Sequence, residues 1–225
     1  MSETIQRLRP GVDLPGEMIG RPIDHRGFPV PWFVTEKDEH GNWDFVRIEA
    51  RRFNEAIRGQ FCWVSGKPLG RYRTFVIGPM CVVNRVAADP PVKKSIGEWS
   101  AKTCPFMLNP AARRDRSIPK EAYEDQRGVM LERNPGVCAL YTVKGHVRSR
   151  NGLFHLPAPE SVEWFAKGQR ASRDQVVAAI QTGLPTLEEM AAQEGQRAID
   201  ALAAAVATAM QFLPSDTAPA RSHHD

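Results

Sequence analysis

Residues 61–70 read Phe61-Cys62-Trp63-Val64-Ser65-Gly66-Lys67-Pro68-Leu69-Gly70, and they decide what kind of core this chain builds. Two ligand-type positions two residues apart, then a glycine and a tight turn that aims backbone N–H groups at sulfur, form the outline of a zinc knuckle. The second ligand position is Ser65. A neutral serine is a poor zinc ligand, and structural zinc takes four nitrogen or sulfur donors in a near-tetrahedral array. One cysteine cannot hold the metal alone, so the segment reads as a degenerate knuckle that keeps its turn, and neither a metal ligand set nor a cofactor is expected.

Around it, residues 61–108 are dense in glycine, proline, tryptophan and cysteine. They predict a compact, loop-rich core with one strand at 74–77, ended by Gly78-Pro79, and a short helix at 95–102 that puts Ile96 and Trp99 on one face. Residues 1–25, with Pro10, Gly11, Pro15, Gly16, Gly20 and Pro22, lack periodicity and predict an extended arm of weak local order. Residues 29–34 and 44–49, with turn chemistry at His40-Gly41-Asn42, predict a β-hairpin. Residues 50–58 predict a helix with Phe53 and Ile57 one turn apart and Gly59 as its stop.

Strand-like runs recur at 137–143 and 153–156 and are expected to pair with each other. Helices are predicted at 160–167, from the capping box Ser172-Arg173-Asp174-Gln175, and from a second capping box, Thr186-Leu187-Glu188-Glu189, toward Leu213. The architecture expected is therefore α+β: a small, mostly antiparallel sheet around the degenerate knuckle core, then a helical C-terminal segment. By residues, this means an arm (1–25), a core domain (26–158), C-terminal helices (159–213) and a disordered tail (214–225). Ile199, Leu202, Val206, Met210 and Leu213 recur at 3, 4, 4 and 3 residues. Such a stripe packs on the chain's own core or on a partner, and Leu202, Val206 and Met210 are the partner-binding candidates, with a homodimer or a host protein as occupant.

The chain resembles a family of uncharacterised proteins of actinobacteria, other bacteria and their phages. The resemblance rests on Arg26-Gly27-Phe28-Pro29-Val30-Pro31-Trp32-Phe33, Cys62-Trp63-Val64, Gly66-Lys67-Pro68-Leu69-Gly70-Arg71, Phe75-Val76-Ile77-Gly78-Pro79-Met80-Cys81, Asn84-Arg85, Pro90-Pro91, Glu98-Trp99-Ser100-Ala101 and Cys104-Pro105-Phe106. It continues in Asn134-Pro135-Gly136-Val137, Ser161-Val162-Glu163-Trp164 and Gly183-Leu184-Pro185. It spans roughly residues 26–190, is most specific from Cys62 to Phe106, and carries no activity with it. The resemblance implies a site of three cysteines and a histidine at the positions held here by Cys62, Ser65, Lys93 and Ile96. Three of those ligand types are gone, and an ammonium and an alkyl chain offer zinc nothing. A fallback set of Cys62, Cys81 and Cys104 with His146 or His155 is the alternative, against simple burial of the thiols.

Little else in the chain carries chemistry. No phosphate-binding glycine loop of either the P-loop or the dinucleotide type is present, no cysteine has a histidine beside it, and the carboxylate pairs Asp38-Glu39 and Glu188-Glu189 read as a turn and a helix start. An enzyme is not expected. Widely spaced cysteines and the lack of a signal-like apolar stretch after Met1 predict a reduced, cytoplasmic setting, and no stretch reaches the length of a membrane span.

Charge is the remaining signal. The net +4 of the 225 residues is uneven: residues 61–120 carry 11 Lys/Arg against three acidic residues, while the segments on either side are net acidic. Arg71, Arg73, Lys93, Lys94, Lys102, Arg113, Arg114 and Arg116 form the nucleic-acid-binding set this predicts, with Trp63, Tyr72, Trp99 and Phe106 as stacking surfaces. The expected function is that of a phage- or prophage-type accessory protein binding nucleic acid or a nucleoprotein complex through the basic middle segment. The alternative is an inhibitor or adaptor of a host complex acting through the C-terminal helices.

Overall fold

A computed structural model describes residues 8–45, 49–109, 135–147, 149–150 and 152–215. Its architecture is α+β. Helix α1 (Ala50–Gly59) precedes strand β1 (Tyr72–Ile77), helix α2 (Pro79–Asn84), the short strand β2 (Val86–Ala87) and helices α3 (Lys94–Thr103) and α4 (Pro105–Leu108). Then come β3 (Cys138–Lys144), β4 (Ser149–Arg150), β5 (Leu153–His155), β6 (Ser161–Ala166), β7 (Gln169–Arg170) and two helices, α5 (Arg173–Glu194) and α6 (Gln196–Met210). Two antiparallel sheets result, one in the order β1-β3-β6-β7 and one in the order β2-β5-β4.

Strand alternation sorts the larger sheet into two faces. Phe75, Ile77, Ala139, Tyr141, Val143, Trp164 and Ala166 point one way, into the main core with Met80, Phe154, Val176 and Ile180. Val76, Leu140, Cys138 and Phe165 point the other way and meet Ala101 of α3. Coverage on both sides explains why residues 161–166 form a strand where a helix is expected. Trp164 and Phe165 are neighbours in sequence and both buried, which a sheet with two packed faces satisfies and an amphipathic helix does not. The sheet thus extends beyond residue 158, and the C-terminal helical segment begins at Arg173.

Pairing also differs from the expectation. The strands at 138–144 and 153–155 belong to different sheets, because β3 is claimed on both edges by β1 and β6, while β5 lies between β2 and β4. Residues 29–34 form no strand. Pro29 and Pro31 lack ladder donors, and among the described residues of this region the isolated bridges Ile23↔Pro29 and Lys37↔Trp43 occur; residues 46–48 of the other expected strand lie outside the described residues. Trp32 and Phe33 instead pack on Trp63, the latter stacked at 4.8 Å between ring centroids. The expected arm is docked rather than loose over its described part. Met18 is fully buried with Cys62, Trp63, Val92 and Ile96, and Asp24 is buried, accepting the backbone N–H groups of Arg26 and Phe28. The tail from residue 216 lies outside the described residues.

Gly59, read as a helix stop, and Gly183 both serve close contact. Gly59 is the last residue of α1, and a Cβ there would stand 2.2 Å from the Phe61 ring; the left-handed cap is Gln60, at φ 52°. Gly183 lies inside α5, which runs on through Pro185 to Glu194 and overrides the second capping box, whereas the first, Ser172 with Gln175, forms with both hydrogen bonds. A Cβ on Gly183 would meet the Met80 side chain at 2.7 Å, so α5 approaches α2 closely here. In an ordinary helix interior, Gly→Ala stabilises by about 1 kcal/mol. Gly183→Ala is expected to do the reverse, lowering stability by about 1 kcal/mol through overpacking and so reducing the urea midpoint. A raised midpoint would contradict this packing of α5 on α2.

Candidate nucleic-acid interface

Seven of the eight basic residues singled out from sequence fall into three groups, and Arg71 stands apart. Arg73 is buried on β1. Its guanidinium donates to the carbonyl oxygens of Gly70 and Tyr72 and to the Gln60 side chain, and burial lowers its pKa below the usual arginine value. It is a positioning residue that ties the end of α1 to the loop leading into β1. Gln60 reaches it from the left-handed cap.

Lys93, Lys94 and Lys102 form the second group, each facing a carboxylate. Lys93 Nζ lies 3.4 Å from Glu17 of the arm, and Lys102 Nζ lies 2.9 Å from Glu98 one turn back on α3. Lys94, at the start of α3, pairs with Glu163 of β6, which also binds Arg170 of β7. Burial works to raise the Glu163 carboxyl, but hydrogen bonds from Lys94 and Arg170 and their charges outweigh it, so its pKa lies below the ordinary glutamate range. This triad clamps α3 to the sheet. Neutralised in pairs, these lysines contribute little net field. The third group, Arg113, Arg114 and Arg116, lies outside the described residues.

Arg71 remains, and the fold gives it new neighbours. Antiparallel pairing of β1 with β3 sets Tyr72 directly across from Lys144, and the turn after β3 closes onto the loop before β1 through the Gly145 N–H to Arg71 carbonyl bond at 2.9 Å. His146 follows, and it lines a shallow depression with Gln60, Leu69 and Arg73. Lys67, exposed at the tip of the knuckle turn, lies on the same connecting loop. Lys67, Arg71, Lys144 and His146 are all exposed and have no carboxylate partner among the described residues. One end of the sheet thus carries the unpaired charges of Lys67, Arg71 and Lys144 beside an exposed tyrosine. Lys144 and His146 sit in a basic turn visible in the sequence, but their link to Arg71 is a strand pairing across some 70 residues that no local pattern reports.

The other aromatic candidates fare differently. Trp63 is buried against Phe33 and Phe53, and Trp99 is half-buried with its indole N–H bound to the Asp13 carbonyl. Phe106 is partly exposed on α4, an element apart from Tyr72 of β1 and Lys144 of β3. On α6, Leu202 and Val206 turn inward and pack against the main core, since the helix lies on α2 and α5; Met210 is exposed.

The knuckle positions converge, but not on a ligand set. The turn is kept: Gly66 N–H bonds to the Cys62 carbonyl at 2.8 Å, and Lys67 N–H points at Ser65 Oγ at 3.4 Å. From the second segment, Lys93 N–H points at Cys62 Sγ at 3.4 Å, while the Lys93 ammonium leaves for Glu17. Ile96 is fully buried beside Cys62 and Met18. These residues do not fit zinc: they offer one thiol, one hydroxyl and an apolar plug. The fallback set is divided, with Cys62 in this cluster and Cys81 against the main core, and no group of three or more His, Cys, Asp or Glu suited to a metal is gathered among the described residues. The four cysteines are free thiols, and the Cys138 thiol is pushed up to about 12 by burial and by neighbouring Cys104. No family model, curated protein or solved structure matches the chain.

Two outcomes are expected. Ser65→Cys, Lys93→His and Ile96→Cys together should bind one zinc per chain and raise the melting temperature in a chelator-sensitive way. A triple variant that binds no metal would show that the four positions do not surround one point. Glu163→Gln should cost about 1–2 kcal/mol at neutral pH, the worth of hydrogen bonds to a charged group. Because the folded Glu163 binds its proton less readily than the unfolded residue, its stabilisation is present above the unfolded pKa and is lost as pH falls through the folded value. The stability gap between variant and parent should therefore close on acidification, as read from denaturant midpoints at neutral and acid pH.

Proposed function

We propose that this chain is an accessory protein of the phage or prophage type that binds nucleic acid, free or within a nucleoprotein complex, through the basic end of its larger sheet. The observation that carries this reading is the juxtaposition of Arg71 and Tyr72 with Lys144 and His146 by the β1–β3 ladder, with no acidic side chain pairing them among the described residues. Exposed cations of this kind gain by releasing counterions from a phosphate backbone, a sequence-independent attraction that weakens as salt rises. The arginines at 113, 114 and 116 extend the same reading by sequence. Four free thiols suit a reducing, cytoplasmic setting, and among the described residues no helix is long and apolar enough to cross a membrane.

The second reading, a protein-binding adaptor or inhibitor, draws on Ile199 and Met210, exposed apolar residues eleven positions apart and so on one stripe of α6. A partner captured by the parent and lost on Ile199→Glu with Met210→Glu would support it.

Electrophoretic mobility shift across a salt series tests the leading reading. Binding should appear at low salt and decline steeply with added salt, and Arg71→Glu with Lys144→Glu should weaken it about tenfold or more at fixed salt without altering the melting temperature. No shift at the lowest salt would remove the proposal.

A further inference from the structure

We infer that the nucleic acid held at this surface is single-stranded, with one unpaired base seated on the ring of Tyr72; this rests on the nucleic-acid reading above. Tyr72 is 47% exposed, more than any other described tyrosine, tryptophan or phenylalanine. Many of the other large rings have aromatic company: Trp32 meets Phe61 and Trp63, Phe33 stacks on Trp63, and Phe75 and Phe53 both pack on Phe154. The Tyr72 ring has no such contact and its hydroxyl no hydrogen bond among the described residues. An open ring of this kind offers an apolar π-face to a flat partner, with its hydroxyl free to stay in water.

Its surroundings are bare in a specific way. Gly70 precedes it by two residues, and Gly145 follows Lys144, its cross-strand partner. A Cβ at either glycine would meet nothing within 4 Å. Gly145 also stands at φ +86°, which the turn requires and side chains resist. The ring therefore rises from a strand end flanked by two positions without side chains, with Lys144 directly across the ladder and Arg71 next to it in the chain. This suits a flat group carrying a phosphate on either side. In a duplex each base face is already covered by its neighbours, and opening a step for an inserted ring costs stacking energy, so a protruding tyrosine selects a strand whose bases are free. Stacking of this kind is tolerant of base identity, because every base has a π-face. Lys67, Arg71 and Lys144 neutralise about three phosphates, which for a single strand predicts a log–log salt slope of about −2.

The test is fluorescence anisotropy on the full chain with short labelled oligo-dT and oligo-U, a blunt duplex of the same length, and heparin as a polyanion without bases. Both single strands, or one of them, should bind more tightly than the duplex, and a preference between them reports the sugar. Tyr72→Ala should weaken single-strand binding about tenfold or more while leaving duplex and heparin binding unchanged, and Tyr72→Phe, which keeps the ring, should behave as the parent. Equal binding of duplex and single strand, or a Tyr72→Ala variant that loses nothing or loses all polymers alike, overturns this inference. If duplex and heparin bind while Tyr72 makes no difference, the proposed function stands and the single-strand assignment falls; if no nucleic acid binds, both fall. An unchanged thermal melt shows that the variants are folded.

Discussion

Everything in this fold that bears on function hangs on the antiparallel ladder between Tyr72–Ile77 and Cys138–Lys144. It is non-local, joining segments more than sixty residues apart, and it is buried on both faces. Phe75 with Tyr141 feeds the main core, and Val76 with Leu140 feeds the smaller one under α3. At its middle the Thr74 and Thr142 hydroxyls bond to each other at 3.0 Å, a fully buried polar pair that is satisfied only in this register. A slip by one residue would reverse every side chain and expose both cores, so the register is strongly specified. The same register brings Arg71 and Tyr72 against Lys144 and His146.

A second constraint is the apolar cluster that fills the knuckle. Met18, Cys62, Trp63, Val92 and Ile96 converge from the arm, the knuckle turn and α3. In a small domain a metal would substitute for such a core, because coordination supplies folding free energy that too few side chains cannot. This chain has enough apolar surface to do without. Ile96 is fully buried beside Cys62 and Met18, and the Lys93 ammonium pairs with Glu17 and helps hold the arm. The turn itself persists because its hydrogen bonds to the Cys62 carbonyl and to Ser65 Oγ do not need a metal.

The distribution of charge follows from the same packing. Glu17 and Glu163 from other segments, and Glu98 from α3 itself, meet three of the lysines of the middle segment, and Arg73 is drawn inward to satisfy carbonyls at the α1–β1 loop. What remains is a focused patch at one sheet end. Its field is carried by fewer cations than the composition of residues 61–120 suggests, but each keeps its charge uncompensated among the described residues.

Read as sequence alone, the α+β class, α1, the strand at β1, α3 and the Ser172 capping box were all determined, because each is written in local spacing, turn chemistry or helix caps. Ser65 at the second ligand position of the knuckle turn was equally plain, since a hydroxyl declares its donor capacity by type. Tertiary structure alone decided that residues 161–166 are a strand, that β3 pairs with β1 and β6 rather than with β5, that α5 passes through Gly183 and Pro185, and that Leu202 and Val206 face inward. The reason is common to all of these. Periodicity shows that a segment has apolar faces, but not how many of them will be covered or by what; that is set by long-range burial, and the same burial set Tyr72 across from Lys144 at the surface.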